Sequence, residues 1–141
     1  MSEPLYSIDI LRLASETGRT PLLFVYDARA ERRSATCGSR ITVDICVDAD
    51  GRVSSYGHDP KACALGQAAS TILARSVIGK SLDDLRSARD ALITYLSGAS
   101  DAPPNWPQLS VLYRARSHTA RHASIQLPFE TAVEAMERVA L

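Results

Sequence analysis

"RITVDICVDADGRVSSYGH", residues 40–58, decides the fold. Ile41, Val43, Ile45 and Val47 alternate with Thr42, Asp44, Cys46 and Asp48, the period-two pattern of a strand with one buried face. Asp50-Gly51 is a hairpin signal, because glycine takes the positive φ that a tight reversal needs. Arg52–His58 then reads as the returning strand. Asp48-Ala49-Asp50-Gly51 also echoes a calcium loop. Such a loop needs more oxygen ligands and a glutamate at its twelfth place, where this chain has Asp59. A turn explains the same residues without an ion.

Before this hairpin, a further edge strand is expected within 28–36. Residues 5–17 read as a short amphipathic helix, with Leu5, Ile8, Leu11 and Leu13 as its apolar face and Gly18 as its end. After the hairpin the pattern turns helical. Residues 62–78 form a helix of mostly small side chains, stopped by Gly79. Ser81-Leu82-Asp83-Asp84 is a capping-box variant opening the next helix, whose apolar face is Leu82, Leu85, Leu92 and Leu96. Residues 98–110, "GASDAPPNWPQLS", read as a proline-rich surface loop. The last helix spans 123–139, with Phe129, Ala132, Val133, Met136 and Val139 on one side. Strands first and helices afterwards predict an α+β fold, a small antiparallel sheet of about three strands with helices packed on one face. At 141 residues the chain, 1–141, reads as a single domain with a core large enough to need no disulfide staples.

Composition narrows the function classes. The formal net charge is +0, so no overall field draws the chain to nucleic acid or to an anionic membrane. The first thirty residues lack the apolar centre of a secretory signal, and no run approaches the ~20 apolar residues of a membrane span. These features predict a cytoplasmic protein. Cys37, Cys46 and Cys63 are odd in number and widely spaced, with no C-x-x-C pair, which predicts neither a disulfide framework nor a self-contained zinc motif. "YRARSHTARH", 113–122, gathers three arginines and two histidines. It reads as a solvated segment, with a docking site for an acidic partner as the alternative.

Cys46 sits on the polar face of its strand and reads as a spare thiol. Cys37 and Cys63 matter more as a pair. Cys37 precedes Gly38 at the mouth of a strand, where backbone can approach a bound group closely. Cys63 opens the small-residue helix, where unpaired N–H groups and the helix dipole favour an anionic sulfur. Either alone reads as a buried small hydrophobe. Together they read as ligands or sulfur acceptors.

The order of these segments carries a resemblance. Residues 37–85, "CGSRITVDICVDADGRVSSYGHDPKACALGQAASTILARSVIGKSLDDL", resemble the NifU N-terminal family, the IscU- and SufU-type scaffolds of iron–sulfur cluster assembly. In that family a Cys-Gly-Asp opens a strand hairpin, and a second cysteine starts a small-residue helix ending in a Gly-Lys-Ser/Thr-Leu turn. Cys37-Gly38, Cys63 and Gly79-Lys80-Ser81-Leu82 occupy those places. The closing "ARHASIQLPFETAVEAM", 120–136, is similar to the arginine–cysteine–leucine–proline–aromatic ending of the SufU-like branch.

The resemblance implies a SufE/NifU-like fold and a scaffold-like protein that is not an enzyme. It would bind iron or a transient [2Fe–2S] cluster, or accept sulfur, through Cys37 and Cys63. The family's metal-binding aspartate falls on Ser39 and its third cysteine on Ser124. His122 lies two residues before Ser124, whereas the histidine of the IscU branch immediately precedes the cysteine, where this chain has Ala123. Ser39, Ser124 and His122 complete the candidate metal set. Hydroxyls are poor ligands for zinc or iron near neutral pH, so zinc is the less favoured ion. A homodimer pooling Cys37 and Cys63 would supply four thiolates, enough for a [2Fe–2S] cluster. The implied partners are a cysteine desulfurase and recipient apo-proteins, with no nucleic acid and no membrane. The alternative is a degenerate member without metal, working as an interaction or regulatory module of the same system. A zinc hydrolase finds no acid–base pair to support it.

Overall fold

The computed structural model describes residues 5–35 and 38–140, so Cys37 lies outside the described residues. Three antiparallel strands, β1 (Ala28–Arg33), β2 (Arg40–Val47) and β3 (Val53–Lys61), pair in the order β1-β2-β3. Ile41, Val43 and Ile45 of β2 are fully buried, as their alternation predicts. The hairpin turn needs no ion. An Asp48 carboxylate oxygen accepts from the N–H groups of Asp50 and Arg52 at 2.9 and 3.0 Å, and Gly51 takes φ 78°. β3 runs beyond the expected end at His58 to Lys61, which carries the sheet to the threshold of Cys63.

Four helices follow the pattern with corrections. α1 is shorter than expected, Ile8–Ala14, and the chain then makes a separate 3-10 turn at Thr17–Arg19 that contains Gly18. Its buried side chains are Ile10, Leu13 and Ala14, whereas Ile8 and Leu11 face solvent. Of the expected face, Leu13 is buried and Leu5 packs partly against the core, whereas Ile8 and Leu11 are corrected. Ile10, Leu13 and Ala14 share one side at 3.6 residues per turn, and Ile8 and Leu11 share the other. α2 (Ala64–Ser76) lies chiefly against α1 and α4. Thr71 of α2 donates its hydroxyl to the Leu13 carbonyl at 2.7 Å, a second donor beside the Glu16 N–H at 3.1 Å that fastens α2 to the end of α1.

α3 (Leu82–Ser97) opens with the full reciprocal capping box between Ser81 and Asp84. The Ser81 backbone N–H holds the Asp84 carboxyl below the usual carboxylate range. The proline-rich loop is not wholly a surface feature, because Trp106 is buried and donates its indole N–H to the Ile72 carbonyl at 3.0 Å. α4 (His122–Val139) carries Pro128 in its interior. Proline has no N–H, so the Ser124 carbonyl one turn earlier loses its helical donor.

The second face of the sheet is partly covered as well. Residues 21–26 cross it, pressed against Gly57, where a side chain would run into the Pro21 carbonyl. Asp44, expected on a polar face, is fully buried under this segment. It accepts from Arg29 at 2.6 and 2.8 Å and from the Leu23 N–H at 3.0 Å. No helix among the described residues is long and apolar enough to cross a membrane.

Candidate functional site

Three elements meet at one end of the sheet. Gly38, at φ 71°, leads into Ser39 just ahead of β2. The Ser34 N–H donates to the Ser39 carbonyl at 2.8 Å, pinning the turn from β1 at its base. Lys61 ends β3, and Cys63 stands at the N-cap of α2 rather than inside the helix. Ser124 comes from the first turn of α4. Ser39 and Ser124 are buried, 3% and 0% exposed, and their hydroxyl oxygens lie 3.1 Å apart. The Cys63 sulfur is 3.4 Å from the Ser124 hydroxyl, and Cys63 itself is only partly buried. The result is a reachable thiol backed by a chain of two buried hydroxyls.

The approach of α2 to α4 depends on Gly66. A Cβ there would lie 2.5 Å from the Ser124 hydroxyl oxygen and 3.2 Å from its carbonyl oxygen. That carbonyl is the one Pro128 leaves without its helical donor, so the hydroxyl and the carbonyl of Ser124 both face the bare side of α2. The small residues of α2 let it nest between α1 and α4 while it also touches β3.

Beside the site the sheet ends in a row of cations, Arg33 opposite Arg40 and Arg40 opposite Lys61. Like charges placed directly across strands are unfavourable. Glu31 answers Arg33 and Arg40 at 3.8 and 3.4 Å, and Asp59 answers Lys61 at 3.5 Å, leaving three cations against two carboxylates. The register that creates this row needs the strand pairing, so the linear sequence does not display it. A groove of about 710 Å³ adjoins the site, bordered by Thr17, His58, Lys61, Ala62 and Gln67.

Of the five candidate residues, the structure brings Cys63, Ser39 and Ser124 together. His122 is turned elsewhere, its Nε2 directed at the carbonyls of Ala115 and Arg116 at 2.9 and 3.1 Å. It secures the 3-10 segment of residues 109–117 to the start of α4. Arg116 of the same segment donates to the carbonyls of Tyr95 and Ser100, so part of the basic run serves structure. Cys46 is partly covered and its thiol donates to the Val25 carbonyl at 3.5 Å. Among the described residues no cluster of three or more His, Cys, Asp or Glu is placed to hold a metal ion.

The model of the family described as the NifU-like N-terminal domain matches residues 21–117. The N-terminal part of a nitrogen-fixing NifU-like protein from Brucella abortus is 37% identical, with a TM-score of 0.89, covering 96% of this chain and 94% of that one. A protein from Fervidobacterium islandicum AW-1, described as an iron–sulfur cluster assembly scaffold for the SUF system, has the same fold at a TM-score of 0.85. It is 17% identical, over 94% of this chain and 96% of that one. Comparison with curated protein sequences gives no match.

Proposed function

Because the chain belongs to the NifU-like N-terminal domain family, we propose that it is a cytoplasmic iron–sulfur assembly scaffold, not an enzyme, acting through Cys37 and Cys63. These thiols would hold iron or a transient [2Fe–2S] cluster, or accept sulfur. One observation carries the reading. The positions on which the family's ligands fall, Ser39, Cys63 and Ser124, converge within hydrogen-bonding reach although 85 residues separate the two serines. The cationic row beside them suits an anionic cluster or an acidic docking surface.

A [2Fe–2S] cluster takes four protein donors, most often thiolates, and one chain offers Cys63 at this end and Cys37 from the sequence. Two chains facing each other complete the set. In the sulfur-accepting mode the partner is a cysteine desulfurase. A thiolate of the scaffold attacks the outer sulfur of the donor's persulfide, a new S–S bond forms as the old one breaks, and the donor cysteine leaves as thiolate. Recipient apo-proteins take the product.

A second reading, an interaction module that carries no cargo, is favoured by the Ser39–Ser124 hydrogen bond, which closes the site without any ion. The two separate in one experiment. The chain is incubated without oxygen with iron, cysteine and a desulfurase, then desalted and assayed for iron, sulfide and visible absorbance. The scaffold reading expects iron and sulfide in near-equal amounts, lost in both Cys37→Ala and Cys63→Ala. A folded chain with neither ion nor chromophore supports the interaction module.

A further inference from the structure

A metal ion resident in one chain would have to be held where Ser39, Cys63 and Ser124 meet. The donors described there are one thiol and two hydroxyls. Counting Cys37 from the sequence adds a second thiol at most. Structural zinc takes four good donors, commonly thiolate or imidazole. A serine hydroxyl keeps its proton near neutral pH and offers no charge, so two serines leave a divalent cation poorly neutralised. That cost is high in a pocket where both hydroxyl residues are almost fully buried. His122 does not make up the deficit, since its Nε2 is directed at the Ala115 and Arg116 carbonyls. The donor set does not fit a resident ion.

The same two hydroxyls do fit each other. Their 3.1 Å contact joins the entrance of β2 to the first turn of α4, and Gly66 leaves Ser124 just enough room to make it. We infer that Ser39 and Ser124 close this end of the fold by their own hydrogen bond, so that the single chain folds without a resident metal ion and keeps Cys63 as an unmetallated thiol. The hydroxyl pair takes the mechanical part that a bridging ion would otherwise play, holding strand, turn and helix together.

The test uses the full chain purified from zinc-containing medium without chelator. Zinc per chain is measured for the wild type and Cys63→Ala, and melting is followed with and without a strong chelator. The expected result is zinc far below one per chain in both proteins and one melting temperature in both conditions. Ser39→Ala and Ser124→Ala should each lower that temperature by about 3–6 °C, since each removes the buried Ser39–Ser124 hydrogen bond in a domain of this size. Exposed Ser110→Ala should not lower it. One zinc per chain that disappears in Cys63→Ala, with melting lowered by the chelator, would overturn the inference. So would serine variants that melt like the wild type. Should a serine variant fail to fold, the wild-type zinc and chelator measurements decide alone. Anaerobic cluster assembly between chains is a separate readout, so failure there is distinguishable from failure here.

Discussion

Gly66 shows how much one missing side chain can settle. An alanine would ordinarily favour a helix interior by about 1 kcal/mol over glycine. Here its Cβ would meet the Ser124 hydroxyl at 2.5 Å, Ala62 Cβ at 2.8 Å and the Ser124 carbonyl at 3.2 Å. Two of those three atoms cannot swing away, and the third is the buried hydroxyl that reaches Ser39. The steric term outweighs propensity, so Gly66→Ala should destabilise the chain by about 1–3 kcal/mol. Urea unfolding followed by circular dichroism measures this. A variant as stable as the wild type would mean that α2 and α4 are not seated this closely. Nothing in "KACALGQAAS", residues 61–70, marks Gly66 apart from its small neighbours, because the constraint comes from a serine nearly sixty positions away.

At the scale of elements, β3 is tied to the turn after α1 through His58. The ring lies 3% exposed, its Nε2–H donates to the Thr17 carbonyl at 2.9 Å, and its Nδ1 is buried without a partner among the described residues. The Tyr56 ring sits edge-on to it at 5.8 Å, with a buried hydroxyl that likewise finds no partner. Burial lowers the His58 pKa, against smaller opposing effects from the Thr17 carbonyl and Asp59. In the unfolded chain the ring titrates near its ordinary value of about 6.5. Between that value and the lower folded one, only the unfolded chain takes up the proton. Stability is therefore complete above about pH 6.5, falls as the pH drops below it, and levels off once the folded ring is protonated too. The slope from this group is at most about 1.4 kcal/mol per pH unit. Urea midpoints at pH 7.5 and 5.5 should fall further apart for the wild type than for His58→Gln. Equal separations would show that the ring is not held neutral by the fold.

At the scale of the whole molecule, ligand number becomes a question of how many chains take part. Cys37 and Cys63 of one chain cannot by themselves complete a [2Fe–2S] cluster, so a reconstituted chromophore should elute with dimeric protein at about one cluster per two chains. Dilution should release cluster and monomer together. Size exclusion with iron and absorbance detection follows both. A monomer that keeps a full cluster would refute the shared site. Exposed Phe24, Val25 and Tyr26 lie on the segment that crosses the far face of the sheet, away from the helical layer. A strand-first, helix-later pattern does not reveal that this segment folds back over Asp44.

The sequence alone determined the α+β class, the β2–β3 hairpin and its turn, the capping box of α3, and the order of cysteines and turns that identifies the family. Each is written within a few adjacent residues, through alternation, a glycine at positive φ, or a reciprocal pair three positions apart. The tertiary structure alone decided which face of α1 is buried, that Trp106 leaves its loop for the core, that Asp44 is covered, and that His122 turns to backbone carbonyls. It also set Ser124 between Ser39 and Cys63. These contacts join residues far apart in the chain, and their geometry is fixed by how the helices pack over the sheet, which no local pattern encodes.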